Sequence, residues 1–221
     1  MYIARIIALF TAIPVHESAH AWVSGLLGDP TAKRLGRISL NPAKHFDLGG
    51  TICMLLLGFG WAKPVPIDVR YYSNKKAGMA LSSFAGPLSN LLMAFILIIF
   101  FKIVSYFIIL RSATAFLGAV RVILFYMISI NILLAVFNML PVPPLDGSRI
   151  FLLFLPERAY FNLMRFERYI MIIVFVLLWT GYLSRPLGLM QNGVFNIMDS
   201  ATKFVDAVMK IILAPKMTSF V

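Results

Sequence analysis

The run HESAH at residues 16–20 places two histidines four residues apart, with a glutamate beside the first. On an α-helix that spacing puts both imidazoles on one face, about one turn apart. Both rings can then bind one metal ion at ~2.0–2.1 Å. Glu17 lies next to the first ligand without having to bind the metal itself. It is placed to take a proton from an attacking water and pass it to a leaving amine. HExxH on a helix is the pattern of metal-assisted hydrolysis, usually with zinc.

The surroundings make the motif unusual. It sits inside "LFTAIPVHESAHAWVSGLLG", a stretch that otherwise reads as a membrane-spanning helix. An ionisable group at mid-helix costs ~2.5–3.5 kcal/mol on insertion scales, so such residues tend to be functional. Of the nine acidic residues, only Glu17 and Asp146 lie amid apolar sequence at membrane-like depth. A catalytic zinc site takes three protein ligands plus water, so His16 and His20 need a third. Asp146 is the best candidate. It follows "NMLPVPPL", whose prolines hold the chain extended and deliver a carboxylate to a defined point, with Gly147 expected to let the chain turn. His45 and Asp47, in "LNPAKHFDLGG", are the alternatives. The single cysteine, Cys53, excludes an internal disulfide and a multi-cysteine metal site.

The elements that must carry these residues follow from composition. Of the 221 residues, 60% are hydrophobic and 13% charged, against roughly 45–50% and 25% in a soluble domain. Long apolar stretches at 79–101, 122–137 and 169–183, and one before residue 28, approach the about 20 residues needed to cross a ~30 Å hydrocarbon core. The chain is therefore expected to be an all-α polytopic membrane protein, a bundle of about 4–6 transmembrane helices. Residues 1–28 read as a retained first helix, because HESAH stands where a signal-peptide cleavage site would fall. Residues 29–76, broken by glycine and proline, hold an apolar centre near 48–62 that is too short to span. "WAKPVPIDV" reads as extended chain, since each proline pushes its predecessor out of the helical region. This implies a re-entrant, partly β-like element, tolerable at depth only if buried or lining a wet cavity. Residues 77–155 carry a helix over 77–101, reaching as far as 110, a basic-spotted connection with Lys102, Arg111 and Arg121, and a helix over 122–138. A proline-broken stretch then leads to a short apolar piece at 148–155. Residues 156–221 hold an arginine-rich loop, a last span at 168–183 and an amphipathic helix over 187–213. The whole is expected to be one membrane-embedded domain.

Charge sets the expected orientation. Segments 29–76 and 138–168 hold twelve of the twenty Lys and Arg residues. That excess places them on the cytoplasmic side of a cell membrane and the N-terminus outside. The end of the first helix, the re-entrant element and the PPLDG stretch then share the side from which water enters. The net charge of +11 is accounted for by basic loops facing anionic lipid rather than by nucleic acid.

HESAH in the first helix, "GPLSN" at 86–90 and "NMLPVPPLDG" at 138–147 together resemble the site-2 protease family of intramembrane metalloproteases, peptidase family M50. "LNPAKHFDLGG" and "GWAKPVP" are similar to its membrane re-entrant segment. The resemblance runs from about residue 8 to 155. It implies one zinc ion on His16, His20 and Asp146, Glu17 as general base, and hydrolysis of peptide bonds within transmembrane protein substrates. No segment suits a PDZ or CBS domain, so the chain resembles the short forms of the family, and a prokaryotic source is expected. Oligomeric state and gating partners are not legible.

Asn90 and Asn138 fall in these motifs. Each either hydrogen-bonds between helices or contacts the substrate backbone and stabilises the oxyanion. For Asn131 the structural role is favoured. Gly86 and Pro87 are expected to kink or thin their helix beside the metal, and the extended edge around Val65 and Ile67 to hold an unwound substrate by strand addition. The competing function is a non-catalytic metal-binding scaffold or substrate-binding pseudoprotease, against which the intact Glu17 argues. A small transporter would carry inverted repeats, and none is visible.

Overall fold

The computed structural model describes residues 2–57, 62–110, 114–154, 156 and 165–217. Nine α-helices are found among them: α1 (Tyr2–Leu26), α2 (Thr31–Arg34), α3 (Leu48–Leu57), α4 (Lys75–Leu110), α5 (Ala115–Asn138), α6 (Asp146–Phe151), α7 (Glu167–Trp179), α8 (Ser184–Ala201) and α9 (Lys203–Met217). The protein is an all-α polytopic membrane protein. α1, α4 and α5 are each long and apolar enough to cross a bilayer, and they pack on one another. Alanines 4, 8 and 12 of α1 are buried and let its neighbours approach closely, while Ile98 of α4 meets Ile128 and Ile132 of α5. The outer faces expose Leu92, Ile96, Phe100 and Phe125, which costs nothing where the surroundings are hydrocarbon.

The expected last span at 168–183 is not one straight helix. α7 ends at Trp179, Gly181 turns the chain with φ of +79°, and α8 leaves at 84° to α7. The 13 residues of α7 rise only about 20 Å, short of the hydrocarbon thickness. The described residues thus hold three spanning helices, or four if the bent pair crosses as one; four is the lower edge of the expected number, and three is one short of it. The amphipathic tail likewise divides, at Thr202, into α8 and α9.

α5 begins seven residues before its expected start at 122, because the Thr114 hydroxyl accepts the Leu117 N–H at 3.3 Å and caps it. Arg121 therefore lies within α5, its guanidinium 5.5 Å from the centre of the Phe101 ring. Lys102 lies within α4, not in a connection.

The element between α2 and α4 is less β-like than expected. Its centre is helical, with the Asp47 carboxylate accepting the Gly50 N–H at 2.9 Å at the start of α3. Strand character among the described residues is limited to one antiparallel bridge, Phe46 to Ala62. Residues 63–68 run on without helix, as the prolines require. Residues 58–61 of the expected re-entrant element, and 157–164 of the expected arginine-rich loop, lie outside the described residues. Leu35, Leu40 and Leu48 are well exposed on this element.

Lys102 binds the C-terminal helices to the bundle. Its ammonium, on a side chain only 10% exposed, lies 2.7 Å from Asp206 Oδ2 and 3.0 Å from Asp199 Oδ1. Removing one partner of such a cluster strands the others in apolar surroundings. Lys102→Met is expected to destabilise the protein by about 2 kcal/mol, the half-open carboxylates moderating the larger loss typical of fully buried pairs. Thermal unfolding in detergent measures it, and an Asp199→Asn variant should lose less than half as much.

Candidate metal centre

α1 carries His16, Glu17 and His20 past its midpoint. Both imidazoles are buried against α4, at 7% and 6% exposure. α4 can come so close only because residue 86 has no side chain: a Cβ there would collide with the His20 ring and with His16 Cε1. The helix runs unbroken through Pro87, so the Gly-Pro pair serves close approach rather than a break in the helix. From the other side, α5 ends at Asn138 and the chain folds back through Pro141–Leu145 into α6, which starts with Asp146. Gly147 does not turn the chain here. It lies inside α6, and a Cβ on it would strike the carbonyls of Met139 and Leu140. Its bareness allows α6 to lie against the end of α5.

These contacts converge three side chains that are 130 residues apart in sequence at the extremes. His16 Nε2 lies 3.1 Å from Asp146 Oδ2 and 3.0 Å from His20 Nε2, and His20 Nε2 lies 3.3 Å from the same oxygen. One ligand atom from each residue falls within 4.8 Å of the others. The far sides of the rings decide what the near sides can be. His20 Nδ1 is 2.6 Å from the Ser82 carbonyl oxygen, which can only accept, so Nδ1 carries the proton. His16 Nδ1 meets Asn90 Oδ1 at 3.0 Å and donates to it in the same way. In neutral rings both Nε2 atoms are then bare lone pairs, facing each other and a carboxylate oxygen. Three such acceptors can be bridged by a metal ion, or by a proton carried on one ring, and two imidazoles with one carboxylate are a donor set that could hold zinc. The pattern of Nδ1–H held by a carbonyl or amide oxygen is the usual outer support of a metal-binding histidine.

Glu17 stands beside the triangle, with its Oε2 accepting the Val65 N–H at 3.2 Å. A cavity of about 310 Å³ opens over the three residues, walled by Pro64, Val65 and Ile67 on one side and by Asn138, Pro144 and Arg149 on another. The other expected residues are placed as follows. Asn138 lines this cavity, with its Nδ2 donating to Leu134 O at 3.0 Å. Asn90 is fully buried beneath His16 and belongs to the ring's support rather than to the cavity wall. Asn131, also buried, donates to Met127 O within its own helix. His45 donates from Nε2 to the Ser39 carbonyl at 2.6 Å, and Asp47 caps α3. Neither belongs to the cluster. The Ser82 carbonyl had no signal in the sequence, since every residue carries one.

Residues 101–181, which include the PPLDG stretch, match the sequence profile of Peptidase family M50. A Bacillus subtilis (strain 168) protein described as "Putative zinc metalloprotease YwhC" is 38% identical over 188 residues, covering 85% of each chain. The chain belongs to peptidase family M50. No solved structure matches it.

The crowding at residue 86 makes a direct test. Gly86→Ala is expected to push the imidazoles apart and abolish stoichiometric zinc in the purified protein, read by elemental analysis. Asn90→Ala, which only releases the outer nitrogen of His16, should weaken zinc affinity by roughly 10–100-fold.

Proposed function

We propose that this chain is an intramembrane zinc endopeptidase that holds one zinc ion on His16, His20 and Asp146. It would hydrolyse peptide bonds within or near transmembrane segments of membrane-protein substrates, the chemistry of regulated intramembrane proteolysis. The observation that carries this reading is the triangle of His16 Nε2, His20 Nε2 and Asp146 Oδ2, whose histidines lie in a helix apolar enough to span a bilayer. Membership of the peptidase family and the printed name of the Bacillus relative support it.

The bound ion would supply Lewis-acid polarisation of the scissile carbonyl and a lowered pKa for the attacking water. The chain's own groups do the rest. Glu17, held by the Val65 N–H, takes the water's proton and delivers it to the leaving amine. Asn138, on the cavity wall, has a second amide hydrogen to offer the substrate carbonyl as charge develops on its oxygen. The non-helical run 63–68 borders the same cavity, where an unwound substrate could pair with the edge at Val65 and Ile67. Orientation follows from the charge bias: the basic side faces the cytoplasm of a prokaryotic cell, and the N-terminus lies outside.

Glu17→Gln tests the reading. In nanodiscs with a reporter substrate bearing one transmembrane helix, cleavage should fall by about 10²–10⁴-fold while one zinc per chain is retained. New peptide termini inside apolar segments of host membrane proteins should depend on Glu17. A native chain that holds zinc but yields no such termini would instead be a metal-binding scaffold. Proline or charge at Val65 and Ile67 should reduce cleavage without loss of zinc, and unchanged cleavage would remove the edge from the mechanism.

A further inference from the structure

Asp29 follows α1 by three residues and is fully buried. Among the described residues no cation pairs with it. A lone buried carboxylate is expensive, and this one is stabilised by donors alone. The Thr31 N–H reaches Oδ1 at 2.9 Å, and the Ser24 hydroxyl and the Asp68 N–H reach Oδ2 at 2.9 and 2.8 Å. Burial pushes its pKa up, but the hydrogen bonds from Thr31, Asp68 and Ser24 outweigh burial and hold it below the ordinary aspartate value. Ser24 Oγ also bonds the Tyr72 hydroxyl at 2.8 Å, and the Tyr72 ring lies against Gly78 of α4, where a Cβ would collide with it. One carboxylate therefore gathers the end of α1, the run 62–68 and the approach to α4.

What this gathering controls is the cavity wall. The run is anchored at its start, where Lys63 N–H donates to His45 O at 2.7 Å and Arg37 donates to Lys63 O at 2.5 Å. It is anchored at its end by the Asp68 N–H on Asp29. Between them Pro64 and Pro66 have no N–H to offer, so the register of Val65 and Ile67 depends on those two ends and on the Val65 N–H. Val65 N–H meets Glu17, and Pro64, Val65 and Ile67 face the cavity. A slip of one residue would move the wall by about 3.3 Å and turn each side chain to the opposite face.

We propose that Asp29 is a positioning residue for substrate: by holding Asp68 it fixes the register of Pro64–Ile67, so that an unwound substrate backbone meets this edge beside Glu17. The inference rests on the peptidase reading and adds to it a residue distant from the metal. Asp29→Asn tests it, because a carboxamide of the same size has one acceptor oxygen for donors that now share two.

The zinc-loaded Asn variant and the native chain are compared with two probes. Acetohydroxamate needs only the metal, whereas a hydroxamate carrying a short apolar peptide also needs the wall. Asp29→Asn is expected to bind acetohydroxamate as the native chain does, to bind the peptidyl probe about tenfold more weakly, and to show KM raised by about the same factor with kcat nearly unchanged. Ser24→Ala, which keeps the carboxylate and removes one donor, should show the same split at about threefold. Unchanged affinity for the peptidyl probe in both variants, or equal loss for both probes, overturns the positioning role while leaving the peptidase intact. A native chain that holds zinc and binds neither probe overturns the peptidase reading, and this proposal with it.

Discussion

Two imidazole nitrogens and a carboxylate oxygen meet inside an apolar bundle with only lone pairs to offer one another. The Ser82 carbonyl and the Asn90 oxygen hold the ring protons on the far side, so neutral rings present only lone pairs on the near side. The cluster is one that could hold a cation, and a cation there, with the outer hydrogen bonds, would offset the cost of placing ionisable groups at this depth. Much of the surrounding architecture can be understood as what brings these atoms together. Gly86 lets α4 lie on the histidines, Gly147 lets α6 lie on the end of α5, and the buried alanines of α1 draw it into the bundle.

The wall over the cluster is organised differently. It has no helix to fix it and no sheet to set its register, only backbone hydrogen bonds at its two ends and one at Val65. Outside the span, the Arg70 guanidinium donates to Asp68 and holds its carboxyl down at about 2, so that this end of the run keeps its charge at any ordinary pH. A non-helical segment beside the site is tolerable where its amides are answered in this way or line a wet cavity. The same openness gives a peptide backbone something to meet.

At the far end of the bundle the chain meets a related problem by ion pairing. Lys102 is buried in α4 and answered by two aspartates that straddle the break between α8 and α9. Its charge therefore does not count as a free loop charge, and neither does that of Arg121, which stands over an aromatic ring.

Local periodicity and composition determined what depends on near neighbours. The i, i+4 histidine pair with Glu17 between them, the apolar spans of α1, α4 and α5, and the proline-driven non-helical run at 63–68 were legible because a helix turn or a proline ring acts within a few residues. Asp146 was legible as a candidate, through its proline-rich approach, but His45 and Asp47 stood beside it until the fold put them at Ser39 and at the start of α3. Only the tertiary structure decided that Asn90 supports His16 from 74 residues away, that Gly147 serves close approach and not a turn, and that the last apolar stretch bends by 84°. Nothing in the local sequence marked Asp29. Its donors come from Ser24, Thr31 and Asp68, and the bond that matters spans 39 residues. Contacts of that kind are set by which helices lie side by side, and that depends on small residues and chain reversals whose effect is felt far from where they are written.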